Sequence, residues 1–475
     1  MQFFSFLLTS LVNLVPFLRI LFNNFRFVRS VLVAKDCFTF QSKINVSEDI
    51  CSENKKKGCA NWKIVNPGMP YIQGYVSHIS LCPKEKMFIY VNSHLSYRVE
   101  IYRMGYYSGL GARLMHVIEN VAPSFQEYRE KAYLNGCNWH PSIEFEIPSN
   151  WPSGFYLIKL IDKKGREAYA SFILRQKIPI ADFVVLLASN TYHAYNNWGG
   201  KSLYSYNSSY NKQAVAVSFK RPYADYNGAG LFFQYEYNLV RWLEKHGFSI
   251  TYVSDLDIHK GVLSKAIFKT LIIAGHSEYW TFNMRQDVEK LNINIANFCA
   301  NVCYWQGRLT EKNDGMVCFK QFASKDPYIK KNPKLTTTRF RQYPVNMPED
   351  SLFGIMYKGI VKQQSSFVVT NSRHFLYQGT GLNNGYKIDG VIGGEIDGYF
   401  GRPNVEIIAK SPVMLTNNKI GESCTVWYSR PNGCKVFSAG TFCWNWFLDN
   451  IHYPKVKVSG HIQRITYNAL KALNS

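Results

Sequence analysis

Long hydrophobic runs are missing from this 475-residue chain except at its extreme N-terminus, which excludes a protein that crosses a membrane several times. Hydrophobic residues make up 46% of the chain, which also excludes a collagen-like or wholly disordered protein. Acidic residues are scarce, since 33 Asp and Glu stand against 55 Lys and Arg. The basic excess is spread along the chain and accompanies no nucleic-acid-binding motif, so no nucleic-acid partner is expected.

Familiar catalytic and metal-binding signatures are absent as well. The chain has no Cys-x-x-Cys pair, which excludes a zinc ribbon or a thioredoxin-type site. It has no Gly-x-Ser-x-Gly elbow, no His-Glu-x-x-His motif and no Walker loop, and no Gly-x-Gly-x-x-Gly lies at a strand–helix junction. Any catalysis must therefore use a less common arrangement of residues.

The N-terminus has the character of a targeting segment. Residues 1–35 contain no Asp or Glu, and the stretch from Phe3 to Leu18 is mostly apolar. We predict entry into the secretory pathway, as a secreted protein or as one attached to a membrane through this leader. The alternative is a mitochondrial or cytoplasmic protein.

The eleven cysteines all lie beyond the leader. Those of the first half are sparse enough for a disulfide framework on an exported module, and they are Cys37, Cys51, Cys59, Cys82 and Cys137. Two sequences, Asn45-Val46-Ser47 and Asn207-Ser208-Ser209, match glycosylation acceptors. These features predict a glycoprotein.

Hydrophobic patterning divides the chain into four segments. Residues 1–35 are the leader, and the polar, Cys- and Lys-rich residues 36–70 are predicted as a linker. Residues 71–176 contain short alternating stretches separated by turns, which predicts a β-sandwich. The predicted strands are Met87–Val91, Tyr97–Arg103, Ile143–Ile147, Phe155–Ile161 and Ala168–Leu174.

Residues 177–475 change to continuous apolar runs that alternate with helical patterns. The runs are Ala181–Ala188, Phe248–Val253 and Lys269–Ala274, and the predicted helices are Glu236–Lys245, Asn283–Leu291 and Gly460–Leu473. Runs of this kind are typical of strands buried on both faces. The segment is therefore predicted to be a layered α/β domain with a mainly parallel sheet.

Polar, aromatic and titratable residues follow three of the predicted strands. They lie in residues 190–200, in Gly275–Trp280 and in Cys299–Trp305. Ligands of open α/β sheets bind at the carboxyl ends of the strands. Each residue alone is as easily a hydrogen-bonded cap, but the coincidence at three strand ends predicts a functional site. His276 and Glu278 are two residues apart, so in an extended segment their side chains point the same way.

Nine sequence blocks carry a resemblance to a known family. They are Tyr97–Leu114, Trp151–Tyr156, Ala194–Tyr204, Val217–Tyr223, Gly275–Trp280, Asn301–Trp305, Gly379–Leu382, Gly394–Asp397 and Phe437–Trp446. In these blocks the chain resembles the large (beta) subunit of N,N-dimethylformamidase and its relatives. The resemblance extends from about residue 70 to the C-terminus.

The resemblance implies a hydrolase of C–N bonds in small non-peptide amides, with a mononuclear ferric iron held by two Tyr and one Glu. The matching positions are Tyr156, Tyr195 and Glu278 for the metal, and His276, Asn301 and Glu395 for catalysis. Of these, Tyr156 is matched by spacing alone. Anionic oxygen donors suit a hard cation, which agrees with iron. The implied roles are a base for Glu395 and orientation of water or of the oxyanion for His276 and Asn301.

The predicted fold is thus a glutamine-amidotransferase-like layered α/β domain preceded by a β-sandwich. The expected partners are a small amide substrate and either further copies of the chain or a small accessory subunit.

Two other functions remain open from the sequence. Cys303 follows a predicted strand, so it is a candidate nucleophile with His276 as its base in a metal-independent amidase. The chain is alternatively a non-catalytic exported binding protein that keeps the same scaffold.

Overall fold

The computed structural model of the protein describes residues 48–450 and 456–475. The leader, Cys37 and the first glycosylation motif lie outside these residues, so the targeting, localisation and membrane predictions stay predictions. Within the described residues, no helix combines the length and apolar character needed to span a membrane. The described α-helices are α1 (Glu48–Lys55), α2 (Ala132–Asn135), α3 (Ser189–Tyr195), α4 (Phe232–Tyr235), α5 (Tyr237–Lys245), α6 (Asp255–His259), α7 (Phe282–Lys290), α8 (Tyr328–Lys331), α9 (Asp350–Phe353) and α10 (Gly460–Leu473).

Two mainly antiparallel sheets occupy residues 72–174. Their strands are β1 (Ile72–Val76), β2 (Ser80–Leu81), β3 (Lys86–Ser93), β4 (Tyr97–Met104), β5 (Ala112–Val121), β6 (Ile143–Glu146), β7 (Gly154–Asp162) and β8 (Glu167–Leu174). The strand orders are β1-β3-β6 and β2-β8-β7-β4-β5. Ile89 of the first sheet and Val99 and Ile158 of the second are buried in one shared core. The five strands predicted here are confirmed, while the β-sandwich class and the segment boundaries stay predictions.

The remaining strands follow in residues 183–438. They are β9 (Phe183–Leu187), β10 (Ala216–Ser218), β11 (Ile250–Ser254), β12 (Thr270–Ile273), β13 (Tyr279–Thr281), β14 (Asn294–Asn297), β15 (Trp305–Leu309), β16 (Gly315–Val317), β17 (Met356–Ile360), β18 (Ser365–Val368), β19 (Lys387–Ile392), β20 (Glu395–Gly398), β21 (Val405–Met414), β22 (Ile420–Ser429) and β23 (Lys435–Ser438).

A seven-stranded sheet forms the centre of this second part, in the order β11-β9-β12-β14-β23-β22-β21. The first five strands run parallel, β22 pairs antiparallel with β23, and β21 pairs antiparallel with β22. All five residues of β9 are buried, as a strand covered on both faces requires. The chain therefore has a mixed α/β fold with several sheets, as predicted. The glutamine-amidotransferase-like layering stays a prediction.

The predicted helices are observed as α5, α7 and α10. The side chains of Thr281 and Ser459 accept hydrogen bonds from the first turns of α7 and α10, which accounts for where these helices begin.

The described part of the predicted linker is packed against the rest of the protein. The ring of Trp62 is fully buried and stacks on Phe233 at 5.5 Å. Asn54 of α1 donates a hydrogen bond to Glu244 Oε2 at 2.9 Å, and Glu244 is itself paired with Arg103. These contacts hold Asn54 and Trp62 against later parts of the chain, whereas most other polar residues of the segment are exposed or half-buried. The assignment of residues 36–70 as a linker stays a prediction.

The predicted disulfide framework is wrong for the described cysteines, all ten of which are free thiols. Cys137 packs in a small core with Tyr75 and Trp139. Cys82 is buried elsewhere, beside the charged groups of Glu85 and Arg175. Their burial as separate small apolar side chains explains why sparse spacing does not imply pairing.

A buried carboxyl at the sheet edge should make stability depend on pH. Asp255 Oδ2 accepts a hydrogen bond from Asn190 N at 2.7 Å, and burial raises the Asp255 pKa from 3.8 to about 8. Unfolding therefore releases a proton between these values, and the free energy of unfolding decreases as pH rises through this window. We expect Asp255→Asn to stabilise the protein by about 1–3 kcal/mol more at pH 8 than at pH 5.

Urea unfolding of the wild type and Asp255→Asn at the two pH values measures this difference. Equal effects of the substitution at pH 5 and pH 8 would contradict the prediction.

Candidate active site

Three consecutive strand ends of the parallel sheet converge on one cluster of side chains. Strand β9 leads into α3, whose last residue is Tyr195. Strand β12 leads into the segment of His276 and Glu278, and β14 leads into Asn301. Hydrogen bonds join side chains from all three ends. The side chains that follow these three strands therefore form one cluster, as the shared sheet edge predicts.

Glu278 is the centre of the cluster. Its Oε2 atom accepts hydrogen bonds from the hydroxyls of Tyr204, at 2.5 Å, and Tyr195, at 3.0 Å. His276 Nε2 lies 3.4 Å from the same oxygen and 3.3 Å from the Tyr195 hydroxyl. The Glu278 side chain is buried, and its backbone N–H is held by Thr191 Oγ1 at 3.0 Å. Two phenols and one imidazole thus converge on a single carboxylate oxygen.

Asn301 connects Glu278 to a second carboxylate. Its Nδ2 atom donates to Glu395 Oε2 at 2.5 Å and lies 3.4 Å from Glu278 Oε1. The backbone of Asn301 is left-handed, with φ of 53°, and its N–H donates to Asp397 Oδ1 at 2.8 Å. Glu395 and Asp397, two residues apart on β20, therefore hold the side chain and the main chain of Asn301.

The charges of the cluster follow from its burial. Burial raises the pKa of both phenols, Tyr195 and Tyr204, well above the usual value, and the charge of Glu278 raises it further. Burial also acts to raise the pKa of Glu278, but the hydrogen bond and the charge of His276, together with the charge of Lys320, outweigh it and lower that pKa. Burial raises the pKa of Glu395 to about 7. The two carboxylates therefore differ in proton affinity although they share Asn301.

Lys320 supplies a buried positive charge next to the phenols. Its Nζ atom lies 3.2 Å from the centre of the Tyr204 ring and donates to Leu203 O at 3.0 Å. The side chain is only 4% exposed, so this cation–π contact is largely removed from solvent. Lys320 thus offsets part of the negative charge that Glu278 brings into the cluster.

Tyr156 lies apart from the cluster. Its ring belongs to the core shared by the two N-terminal sheets, stacks on Trp151 at 5.3 Å, and its hydroxyl donates to Pro152 O at 2.6 Å. The structure therefore does not bring Tyr156 to Tyr195 and Glu278. The second phenol at Glu278 Oε2 is that of Tyr204.

Cys303 is not paired with His276. Its Sγ atom lies 3.6 Å from Arg285 Nη1, and burial raises the pKa of the thiol to about 12. The ring nitrogens of His276 face Tyr195 and Glu278 on one side and Ala300 O, at 3.4 Å, on the other. The metal-independent nucleophile mechanism gains no support from this arrangement.

A hard cation fits the donors that are present. Among residues 48–450 and 456–475, no group of three or more His, Cys, Asp and Glu is arranged to hold a metal ion. The set here is of another kind, because two of its three oxygen donors are phenols, Tyr195 and Tyr204, and the third belongs to Glu278. In the same described part of the chain, Asn301 Oδ1 is buried without a hydrogen-bond partner. A polar atom left open beside three oxygen donors is consistent with a bound ligand or ion.

Sequence reasoning missed three residues of the cluster. Tyr204 ends the Ala194–Tyr204 block and Asp397 ends the Gly394–Asp397 block, so both lay inside segments already singled out. Lys320 had no signal in the sequence, since it is one of many lysines in a basic chain.

A family model matches most of the chain. Residues 98–457 match the family model described as N,N-dimethylformamidase beta subunit-like, C-terminal. The match includes all the residues of the cluster and confirms the resemblance carried by the sequence blocks. No curated protein matches the chain.

Proposed function

This chain belongs to the N,N-dimethylformamidase beta subunit-like family, and from that premise we propose that it hydrolyses the C–N bond of a small non-peptide amide. We propose a mononuclear iron as its cofactor, held by Tyr195, Tyr204 and Glu278. The observation that supports this proposal most directly is the meeting of both phenol hydroxyls at Glu278 Oε2.

The donor chemistry supports iron over softer metals. Phenolate and carboxylate oxygens are hard anionic ligands, which favour a hard, highly charged cation such as ferric iron. Free phenols ionise near pH 10, and burial raises the pKa of both tyrosines further. Metal binding must therefore displace both phenol protons, which makes iron affinity rise with pH. When bound, the iron would polarise the amide carbonyl and lower the pKa of a water molecule.

Glu395 is proposed as the general base and acid. Its pKa of about 7 lets it take a proton from the attacking water and return it to the leaving amine nitrogen near neutral pH. The hydrogen bond from Asn301 Nδ2 orients this carboxylate. Glu395 is also partly exposed, whereas Glu278 is buried, so solvent and substrate reach Glu395 more readily.

His276 and the rings around it are proposed to position the amide. Glu278 outweighs the effect of burial and raises the pKa of His276, which favours the ring as a hydrogen-bond donor to the substrate. Phe442 and Tyr235 pack on this ring, at 4.4 Å and 5.5 Å between centroids. These contacts suit a small uncharged substrate with apolar substituents.

The proposal is tested by comparing the wild type with Glu395→Gln. We expect the purified wild type to contain stoichiometric iron, to show a visible tyrosinate-to-iron absorption band and to release amine from N,N-dimethylformamide or a related small amide. Glu395→Gln should retain the iron and the band while kcat falls about 100- to 10,000-fold, because only the proton transfer is lost.

A folded wild type that binds no iron would overturn the proposal in favour of a non-catalytic scaffold. Inactivation by iodoacetamide without loss of iron would instead favour catalysis by Cys303.

A further inference from the structure

The loop that presents Tyr204 folds back onto the helix that presents Tyr195. Helix α3 ends at Tyr195, and residues 196–208 return along its last turn. Leu203 N donates to Ala194 O at 2.9 Å, which fixes the main chain next to Tyr204. The two proposed phenol ligands therefore belong to one local unit, although neither helix periodicity nor strand pairing connects them.

The side chain of Asn207 connects the two tyrosine segments by hydrogen bonds. Its Nδ2 atom donates to the carbonyl oxygen of Tyr195 at 2.9 Å. Its Oδ1 atom accepts from Ser202 Oγ at 2.5 Å, and Ser202 Oγ in turn accepts from Tyr204 N at 2.9 Å. A continuous path of hydrogen bonds thus runs from the main chain of Tyr195 through Asn207 and Ser202 to the main chain of Tyr204.

The surroundings of this path make it stiff. Ser202 is fully buried, and Ser208 Oγ donates to Tyr204 O at 2.6 Å. Asn197 Nδ2 donates to the carbonyl oxygen of Asn207 at 2.9 Å, which holds Asn207 itself. The carbonyl of Tyr195 is at a helix end and has no partner within α3, so Asn207 satisfies a group that the helix leaves open.

We propose that Asn207 is a positioning residue that holds the hydroxyls of Tyr195 and Tyr204 in the relative positions that iron binding requires. The inference rests on the proposed function, because it assumes that these phenols are the ligands. A metal site requires its donors to be placed within a fraction of an ångström, and such placement comes from the hydrogen bonds that support the ligands. Asn207 touches neither Glu278 nor any catalytic residue, so its effect acts through the two tyrosine segments.

The same contacts reinterpret the Asn207-Ser208-Ser209 motif. A glycan would be attached to Nδ2, the atom that donates to Tyr195 O, and Asn207 is only partly exposed. A glycan would replace one of the two hydrogens of this Nδ2 atom and would need space beside the Tyr195 carbonyl. The hydrogen bond from Asn207 Nδ2 to Tyr195 O by itself explains why an asparagine stands at position 207, without a need for the motif to be a modification site.

The decisive variant is Asn207→Asp, which keeps the shape of the side chain and replaces the Nδ2 donor by an oxygen. A carboxylate oxygen would then face the Tyr195 carbonyl oxygen, so the hydrogen bond between residue 207 and Tyr195 is lost. We expect iron affinity, measured by competition with a chelator, to fall about 10- to 100-fold, as is typical when a residue that supports a metal ligand is removed. The tyrosinate-to-iron band should also shift in wavelength in the iron-loaded variant.

Ser209→Ala is the matched control. It destroys the glycosylation motif but removes only the hydrogen bond from Ser209 Oγ to Gly200 O, and Ser209 N still donates to that carbonyl. Its iron affinity and absorption band should equal those of the wild type. If Asn207→Asp does not fold, Ser202→Ala interrupts the same path and should lower iron affinity with the same shift of the band.

Three results would overturn the inference. In the first, the wild type binds iron and Asn207→Asp, or Ser202→Ala in its place, matches its affinity and band, which leaves the proposed function intact. In the second, Ser209→Ala lowers iron affinity as much as Asn207→Asp does, which shows that any change in this loop, and not the loss of the Asn207 hydrogen bond, lowers the affinity. In the third, the folded wild type binds no iron, which removes the proposed function together with the inference.

Discussion

Glu278→Gln is expected to abolish iron binding and amide hydrolysis together while the protein stays folded. Glu278 Oε2 accepts from both phenols, and the substitution replaces the charged oxygen donor by a neutral amide of the same size. Removal of a residue that merely supports a ligand costs about 10- to 100-fold in metal affinity, so removal of this carboxylate should cost more than about 100-fold. Loss of the Lewis acid should lower kcat/KM at least about 1,000-fold.

Metal analysis, the visible absorption band and amine release measure these effects on one preparation. Asp255→Asn is the control, because Asp255 is another fully buried carboxyl near the same sheet edge but has no contact with the phenols. It should keep iron and activity. Retention of full iron content by folded Glu278→Gln would show that the three oxygen donors are not the metal site.

The second large effect distinguishes two tyrosines that differ only in their position in the fold. Tyr204→Phe should lower iron affinity by more than about 100-fold and weaken the tyrosinate-to-iron band, because the hydroxyl 2.5 Å from Glu278 is removed. Tyr156→Phe should leave iron affinity and the band unchanged. It should instead reduce the free energy of unfolding by about 1 kcal/mol, since it loses the hydrogen bond to Pro152 O.

Iron titration monitored at the visible band, together with urea unfolding, separates the two variants. The reverse pattern, with iron lost in Tyr156→Phe and kept in Tyr204→Phe, would restore the ligand assignment made from spacing. It would also remove the basis for the role of Asn207.

The sequence alone predicts the strands and helices of this chain and the sheet edge that carries the cluster. Apolar runs such as the one at Ala181–Ala188 mark strands because a strand covered on both faces needs hydrophobic residues without alternation. Helix α10 was predicted with its observed bounds, Gly460–Leu473, because its apolar positions repeat at helical spacing. The location of the site at the carboxyl ends of β9, β12 and β14 followed from the same patterns, since parallel strands place these ends at one edge.

The choice of the second phenol could not be made in this way. Tyr156 was matched by its distance along the chain, but alternation in β7 turns its ring towards Trp151 and Phe172 in the sheet core. Tyr204 lies in a loop without periodicity, 74 residues before Glu278, so no local pattern indicates that the two side chains meet.

The sequence does not predict the roles of Lys320 and Asp397 for the same reason. Lys320 acts through its burial beside Tyr204, and Asp397 acts through a hydrogen bond from the main chain of Asn301. Periodicity and family blocks act over a few residues and therefore specify the strands, the helices and the site-bearing segments of this protein. Contacts between distant loops depend on how the whole chain packs, and that packing selects which oxygen donors share the carboxylate of Glu278.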